Sequence, residues 1–101
     1  MHQTLRADRR RGERYSMNIP IRVSEVGTGS TVDVSSSGVS FMIAAGLALG
    51  TIIDFDLTVQ EPGGAIVLEC GGTVVRAEQR GRYMFAAATI DQLIMRKAAE
   101  Q

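Results

Sequence analysis

An arginine-rich segment near the N-terminus has side chains suited to hold a phosphorylated ligand. Arg10 and Arg14 are separated by three residues, and Arg9 directly precedes this pair. Guanidinium groups are planar, permanently charged donors whose geometry fits phosphate oxygens and the O6/N7 edge of guanine. The segment shows no apolar periodicity, so we expect these arginines to lie on a flexible arm over residues 1–15.

A second polar group follows Arg14 after eighteen intervening residues, between two stretches that alternate like β-strands. It contains Asp33, Ser35 and Gly38 within a Ser- and Gly-rich turn. A carboxylate can accept hydrogen bonds from the donor edge of guanine, a hydroxyl can bind phosphate or base, and Gly38 permits either a left-handed φ or a close backbone approach. Asp and Ser in turns also commonly hydrogen-bond their own backbone, and the two roles are compatible.

In this order, the two groups resemble the R-x-x-x-R and [D/N]-x-S-x-x-G motifs of the PilZ family, bacterial receptors for cyclic di-GMP. Both motifs are intact, and the resemblance extends over nearly the whole chain. It implies an all-β fold: a six-stranded antiparallel PilZ-type barrel with a flexible N-terminal arm and a C-terminal α-helix. It also implies that the ligand is bound by Arg9, Arg10, Arg14, Asp33, Ser35 and Gly38.

The resemblance implies a receptor and adaptor, with no enzyme activity. Cyclic di-GMP would order the arm, and a downstream protein effector would recognise the changed surface, with control of motility, biofilm or exopolysaccharide as the output. The alternative is a PilZ-like interaction module that binds no nucleotide, against which the intact motifs argue. In the family, an arginine at the position of Arg9 accompanies two ligands per site, so one or two ligands and a ligand-linked dimer stay open.

Charge is unevenly distributed although the formal net charge is zero. Residues 1–14 carry five arginines against two acidic residues, and the remainder carries six basic against nine acidic residues, which gives +3 and −3. A small basic arm and only 5% aromatic residues favour a small anion over a nucleic acid polymer, which needs a broad basic face.

Side chains for catalysis or metal binding are scarce. His2 is the sole histidine and lies in the arm, so a Ser-His-Asp arrangement is not expected. Cys70 is the sole cysteine and is predicted to be a small buried apolar residue, which excludes a thiolate metal cluster. Asp54 and Asp56 share one strand face, where exposed carboxylates are common. We therefore expect no enzyme, no metal and no cofactor apart from the ligand.

The chain contains neither the apolar core of a signal peptide nor an apolar run long enough to span a membrane, so we expect a cytoplasmic protein. Turns are predicted at 27–29 and 61–64, and the pair Gly71 and Gly72 predicts a bulge or a corner bend. Arg76, beyond this pair, is predicted to lie on the solvent face rather than stack on a guanine. Strand character is found over residues 19–23, 31–34, 39–43, 51–59, 65–77 and 82–88.

The last segment changes period. Its apolar residues Ile90, Leu93, Ile94 and Ala98 have the spacing of an amphipathic helix. The sequence therefore predicts one domain over 1–101, with a ligand-binding arm at 1–15, a barrel at 16–88 and a helix at 89–101.

Overall fold

The computed structural model describes residues 15–98, and regular structure in this part is entirely β. All strand pairs are antiparallel. The strands are β1 (Tyr15–Ser16), β2 (Pro20–Val23), β3 (Gly27–Val34), β4 (Gly38–Ile43), β5 (Ile52–Glu61), β6 (Gly64–Arg80), β7 (Tyr83–Thr89) and β8 (Gln92–Lys97). No helix in residues 15–98 has the length and apolarity to cross a membrane.

Six of these strands close into a barrel. Following the hydrogen-bonded neighbours gives the order β3, β2, β5, β6, β7 and β4, and β4 pairs with β3 to complete the ring. The predicted six-stranded antiparallel barrel is confirmed. The remaining two strands lie outside the ring, where β1 extends the sheet from β3 and β8 extends it from β6.

Alternating apolar residues fill the barrel interior. In β5, Ile53, Phe55 and Leu57 are buried while Asp54 between them is exposed, as the period-2 pattern predicts. Five of the ring strands and the loop residue Leu47 supply the core, which comprises Ile21, Val23, Val39, Phe41, Ile43, Leu47, Ile53, Phe55, Leu57, Cys70, Val74, Ala86 and Ala88.

The turns agree with the sequence in one place and differ in another. Pro62 and Gly63 form the predicted turn between β5 and β6. The turn predicted at 27–29 is wrong, because the chain reverses over residues 24–26 and Gly27 already begins β3. Glu25 takes the left-handed conformation there, with φ of 62°. Gly29 lies within β3. A larger residue does not fit there, because an added Cβ would come within 2.1 Å of the Met42 carbonyl oxygen.

The predicted C-terminal helix is wrong within the described residues, since residues 92–97 form strand β8 along the first half of β6. The apolar spacing that fits a helix contains the consecutive residues Leu93, Ile94 and Met95, which fit a strand equally well. Tertiary pairing decides between them, because β6 would otherwise leave the backbone groups of residues 66–71 without a neighbour on that side. Residues 99–101 lie outside the described part.

The pair Gly71 and Gly72 marks a change of neighbour along β6, and the predicted bulge is absent there. Pairing with β5 runs without a register shift from Gly64 to Thr73. On its other side, β6 pairs with β8 up to Gly71 and with β7 from Val74 onward. An added Cβ on Gly72 would lie 1.7 Å from the Thr89 carbonyl oxygen, so glycine is required by this close crossing of two backbones.

Candidate functional site

A β-bulge at Val32 turns Asp33 to the outside of the barrel. The register of β3 against β4 shifts between Thr31 and Asp33, so Thr31 pairs with Phe41 and Asp33 pairs with Ser40. Thr31 and Phe41 are both fully buried. Without the extra residue, Asp33 would lie on the same inner face as Thr31, because side chains two apart in a strand share a face. The bulge therefore places a carboxylate on the outer surface.

Ser40 holds this carboxylate in place. Its hydroxyl donates a hydrogen bond of 2.9 Å to Oδ1 of Asp33. Ser40 lies between the core residues Val39 and Phe41, so its side chain points away from the core. It is nevertheless buried, with 7% of its surface exposed. A hydrogen-bonded carboxylate loses rotamer freedom before any ligand arrives. Ser40 belongs to neither motif, and the one signal for it in the sequence is a serine inside an otherwise apolar strand.

Ser35 organises the turn that follows Asp33. Its hydroxyl oxygen accepts hydrogen bonds from the backbone N–H groups of Ser37 (3.3 Å) and Gly38 (3.2 Å). The Ser35 N–H donates to the Gly38 carbonyl at 2.9 Å, and the Ile90 N–H donates to the Ser37 carbonyl at 3.0 Å. The hydroxyl thus has the local structural role that turn serines commonly have.

Gly38 is required by a close approach and has no left-handed φ. The glycines with positive φ in the described residues are Gly27, Gly50, Gly64 and Gly81. An added Cβ on Gly38 would come within 3.0 Å of the Ala88 carbonyl oxygen, where β4 lies against β7. Of the two reasons that the sequence offered for this glycine, the structure supports backbone proximity.

A second bulge does for Arg76 what the first does for Asp33. The register of β6 against β7 shifts between Val74 and Arg76, so Val74 pairs with Ala88 and Arg76 pairs with Ala87. Val74 is buried in the core, and Arg76 is exposed. In a regular strand Arg76 would share the inner face of Val74, so the extra residue Val75 turns the guanidinium outward.

Aromatic and acidic partners hold Arg76 on this surface. Its guanidinium carbon lies 5.2 Å from the centre of the Phe85 ring, and that of Arg80 lies 4.5 Å from it. Glu78 accepts a hydrogen bond from each arginine, at 2.9 Å from Arg76 and 2.8 Å from Arg80, and these donors lower the pKa of the Glu78 carboxyl. The predicted solvent-face position of Arg76 agrees with the structure.

The two bulges define one continuous row across four strands. Asp33 pairs with Ser40, Ser40 with Ala87, and Ala87 with Arg76. We call Asp33, Ser40, Ala87 and Arg76 the outer row. Neighbouring strands lie about 4.8 Å apart, so the row is roughly 14 Å long. It carries a carboxylate at one end, a guanidinium at the other and the small side chains of Ser40 and Ala87 between them.

The arginine arm reaches the described structure beside Asp33. Arg9, Arg10 and Arg14 lie outside the described residues. The chain enters at β1, where Ser16 pairs with Asp33. The residues after β1 are fixed by the buried hydroxyl of Thr31, which donates to the Met17 carbonyl at 2.6 Å and accepts from the Ile19 N–H at 2.8 Å.

Other reactive groups in the described residues are sparse. Cys70 is a free, buried cysteine, and its desolvation, with a smaller contribution from the charge of Asp56, raises the pKa of the thiol to about 11. The thiolate that a nucleophile requires is therefore scarce at neutral pH. Within residues 15–98, no cluster of three or more His, Cys, Asp or Glu side chains could hold a metal ion.

Comparison with known proteins agrees with this architecture. The structure of the Bacillus subtilis inhibitor of motility, MotI/DgrA, is similar with a TM-score of 0.71 at 15% sequence identity. The similar region covers 85% of this chain and 44% of that chain, so this chain spans less than half of that protein. No curated protein matches the sequence. The PilZ domain model matches residues 8–96, a range that includes the arginine arm, the motif turn and nearly all of β8. PilZ domains form a family of cyclic di-GMP-binding and adaptor modules, and this chain belongs to the PilZ family.

Proposed function

We propose that this protein is a receptor for cyclic di-GMP that binds the nucleotide between its N-terminal arginines and the outer row. The observation that carries the proposal is the Val32 bulge, which turns Asp33 outward directly beside the strand through which the arm enters. Arg10 and Arg14 would supply phosphate and guanine contacts, and Asp33 would accept from the N1–H and N2–H₂ edge of a guanine.

Charge and position favour this arrangement. Arg14 directly precedes Tyr15, and β1 pairs Tyr15 and Ser16 with Val34 and Asp33. The arm carries +3 and the rest of the chain −3, so a dianionic ligand bound by the arm relieves repulsion among its arginines. These observations support the assignment of both motifs to one site, although they are separated in sequence.

The structure refines the roles that the family resemblance implies for the turn. Because the Ser35 hydroxyl already bonds two backbone N–H groups, its main contribution is to fix the turn. Gly38 contributes by letting the turn lie close to Ala88. Asp33 has the direct ligand role, and its hydrogen bond from Ser40 keeps the carboxylate oriented. Arg9 would hold a second, intercalated ligand molecule, with two per site.

The proposed output is a change of surface, with no chemical step. Closing the arm over the ligand orders a segment at the mouth of the site, and a downstream effector protein would recognise that ordered state. The similar structure is that of an inhibitor of motility, and motility, biofilm or exopolysaccharide control in the cytoplasm is the process that we propose here.

Calorimetric titration tests the proposal directly. Cyclic di-GMP should bind well above cyclic di-AMP, because Asp33 matches the donor edge of guanine and adenine lacks that edge. GTP carries the same guanine edge on a mononucleotide and is the control for the second guanine of the cyclic ligand. Arg14→Ala should weaken binding about 10- to 150-fold through loss of a charge-assisted contact, and Arg82→Ala, an exposed arginine in the β6–β7 turn, is the matched control with unchanged affinity.

The other outcomes have definite meanings. A folded protein that binds none of the three nucleotides would overturn the receptor proposal and favour the interaction module without nucleotide. Equal affinity for cyclic di-GMP and cyclic di-AMP would reject the role of Asp33 in reading guanine. Saturation at one ligand per chain would reject the role of Arg9, and Arg9→Leu should lower a ratio of two towards one.

A further inference from the structure

Strand β8 is an exposed sheet edge with an apolar centre. Every residue of this strand is exposed, and Leu93, Ile94 and Met95 retain 49%, 64% and 61% of their accessible surface. Within residues 15–98, β8 pairs with β6 alone, so its second edge has no strand beside it. Natural edge strands are usually protected by a bulge, a proline or a central charge. The pairing of β8 has no register shift, and its centre has neither proline nor charge.

The hydrogen-bond pattern determines which backbone groups this edge offers. The Ala98 N–H donates to the Ala65 carbonyl at 3.0 Å. In an antiparallel ladder, hydrogen-bonded and non-hydrogen-bonded pairs alternate, so Arg96 and Ile94 also direct their backbone groups to β6. The backbone groups of Leu93, Met95 and Lys97 therefore point away from β6, towards the open edge.

The charges at the two ends of the strand are opposite, so they would attract those of a second, antiparallel copy. An acidic residue, Asp91, precedes the apolar centre, and two basic residues, Arg96 and Lys97, follow it. A second copy that pairs antiparallel brings the acidic end of each strand beside the basic end of the other. A parallel partner, by contrast, would place like charges side by side.

We propose that β8 pairs with β8 of a second copy of this chain, in an antiparallel ladder centred on Ile94. The pairing joins the two sheets into one continuous sheet across a two-fold axis. Leu93 then lies opposite Met95 of the second copy. Asp91 lies just beyond the ladder, because its backbone N–H donates to the Gly71 carbonyl at 2.8 Å, and its carboxylate faces the Lys97 side chain of the second copy. The two Ile94 residues face each other on the axis.

The register follows from the backbone pattern together with the charges. Residues that point their backbone groups to the open edge must pair with one another, which permits centres at Leu93, Ile94 or Met95. A centre at Leu93 places Asp91 opposite Met95, and a centre at Met95 places Lys97 opposite Leu93. The centre at Ile94 brings the opposite charges together, and it makes the Ile94 pair a non-hydrogen-bonded one with Cα atoms about 4.5 Å apart.

Disulfide trapping tests the register. Because the Cα separation of that pair lies within the range of a disulfide, Ile94→Cys should form a covalent dimer under mild oxidation without nucleotide. Ile52→Cys is the matched control, since Ile52 is 80% exposed and lies on β5, which pairs with the other side of β6 and not with β8. The unaltered protein controls for the native Cys70, which is buried. Trapping of both variants to equal extents would overturn the proposed register.

Sedimentation equilibrium without nucleotide tests the dimer itself. The unaltered chain should show a concentration-dependent mass approaching twice that of the monomer. Asp91→Lys and Lys97→Asp should each raise the dimer dissociation constant about 2- to 30-fold, since each removes two symmetric exposed ion pairs. The double variant Asp91→Lys/Lys97→Asp should restore the original value. A chain that stays monomeric, or a double variant no better than the single ones, would overturn the proposal whether or not cyclic di-GMP binds.

Discussion

The two halves of β6 differ in how they pair and in what they present to solvent. The first half pairs with β8 without a register shift, and the alternation of its side chains is preserved. The second half pairs with β7 through the bulge at Val75, which puts Val75 and Arg76 outward in succession. A regular ladder extends the sheet beyond the barrel, whereas a bulged ladder changes what the surface carries.

This difference shows how one strand can serve two surfaces. The regular half is paired on both sides and carries β8, whose second backbone edge and apolar side chains suit pairing with another strand. The bulged half places the guanidinium of Arg76 on the outer row, where it suits a polar ligand. Gly72 lies at the join between the halves, and its crossing with Thr89 keeps the two surfaces in a fixed relation.

The largest expected effect comes from breaking the join. Gly72→Ala places a Cβ where the Thr89 carbonyl oxygen now lies, at 1.7 Å, so the backbones must separate. We expect a loss of about 1–3 kcal/mol in the free energy of unfolding, and of roughly 5–20 °C in Tm. Gly71→Ala is the matched control, since its Cβ would meet Asp54 Oδ1 at 3.4 Å, an ordinary contact. Thermal unfolding of both variants measures the difference, and equal Tm values would show that the crossing imposes no constraint.

A smaller effect concerns the outer row. Asp33→Ala leaves the covered Ser40 hydroxyl without its acceptor, and we expect a cost of about 1–2 kcal/mol in stability. Ser40→Ala should cost less, because the carboxylate at Asp33 is more accessible to water. The double variant should cost less than the sum of the two, with a coupling of about 0.5–1.5 kcal/mol by urea unfolding. Strict additivity would mean that the hydrogen bond contributes nothing to stability.

The smallest effect belongs to the regular half of β6. Folding raises the pKa of the Cys70 thiol from 9.0 to about 11, so the folded state keeps a proton that the unfolded state releases between these values. Stability from this source is fully present below pH 9 and is lost as the pH rises to about 11. Urea unfolding at pH 8 and pH 10.5 should show a smaller decrease for Cys70→Ala than for the unaltered protein. Equal decreases would show that the thiol does not contribute.

Short-range patterns in the sequence predicted the six ring strands and the turn that carries Ser35. The arginine motif lies outside the described residues, so its place stays a prediction. The patterns did not predict the bulges at Val32 and Val75. A bulge is a mismatch between two paired strands, and valine is equally common in regular strands, so the residue itself gives no signal. The sequence predicted a bulge or a corner bend at Gly71 and Gly72. The structure has no bulge there and needs Gly72 for a backbone crossing.

Long-range pairing explains the other differences. The spacing from Ile90 to Ala98 fits a helix locally, but the open side of β6 selects a strand. The partnership of Ser40 with Asp33 likewise depends on the shifted register between β3 and β4. The sequence could supply the side chains of the candidate site, while their orientation depended on contacts between distant segments.

The closure of the ring between β4 and β7 has a consequence for the rate of folding. Gly38 pairs with Thr89, so most of the described chain lies between two residues that meet in the ladder. The β5–β6 and β6–β7 hairpins involve short connections and can form early, whereas the β4–β7 pairing must close a long loop. Barrels dominated by such distant pairings fold in about milliseconds to seconds. During synthesis β4 leaves the ribosome well before β7. Until β7 is made, the edge of β4 that will pair with it is open, and two unfinished chains can associate there.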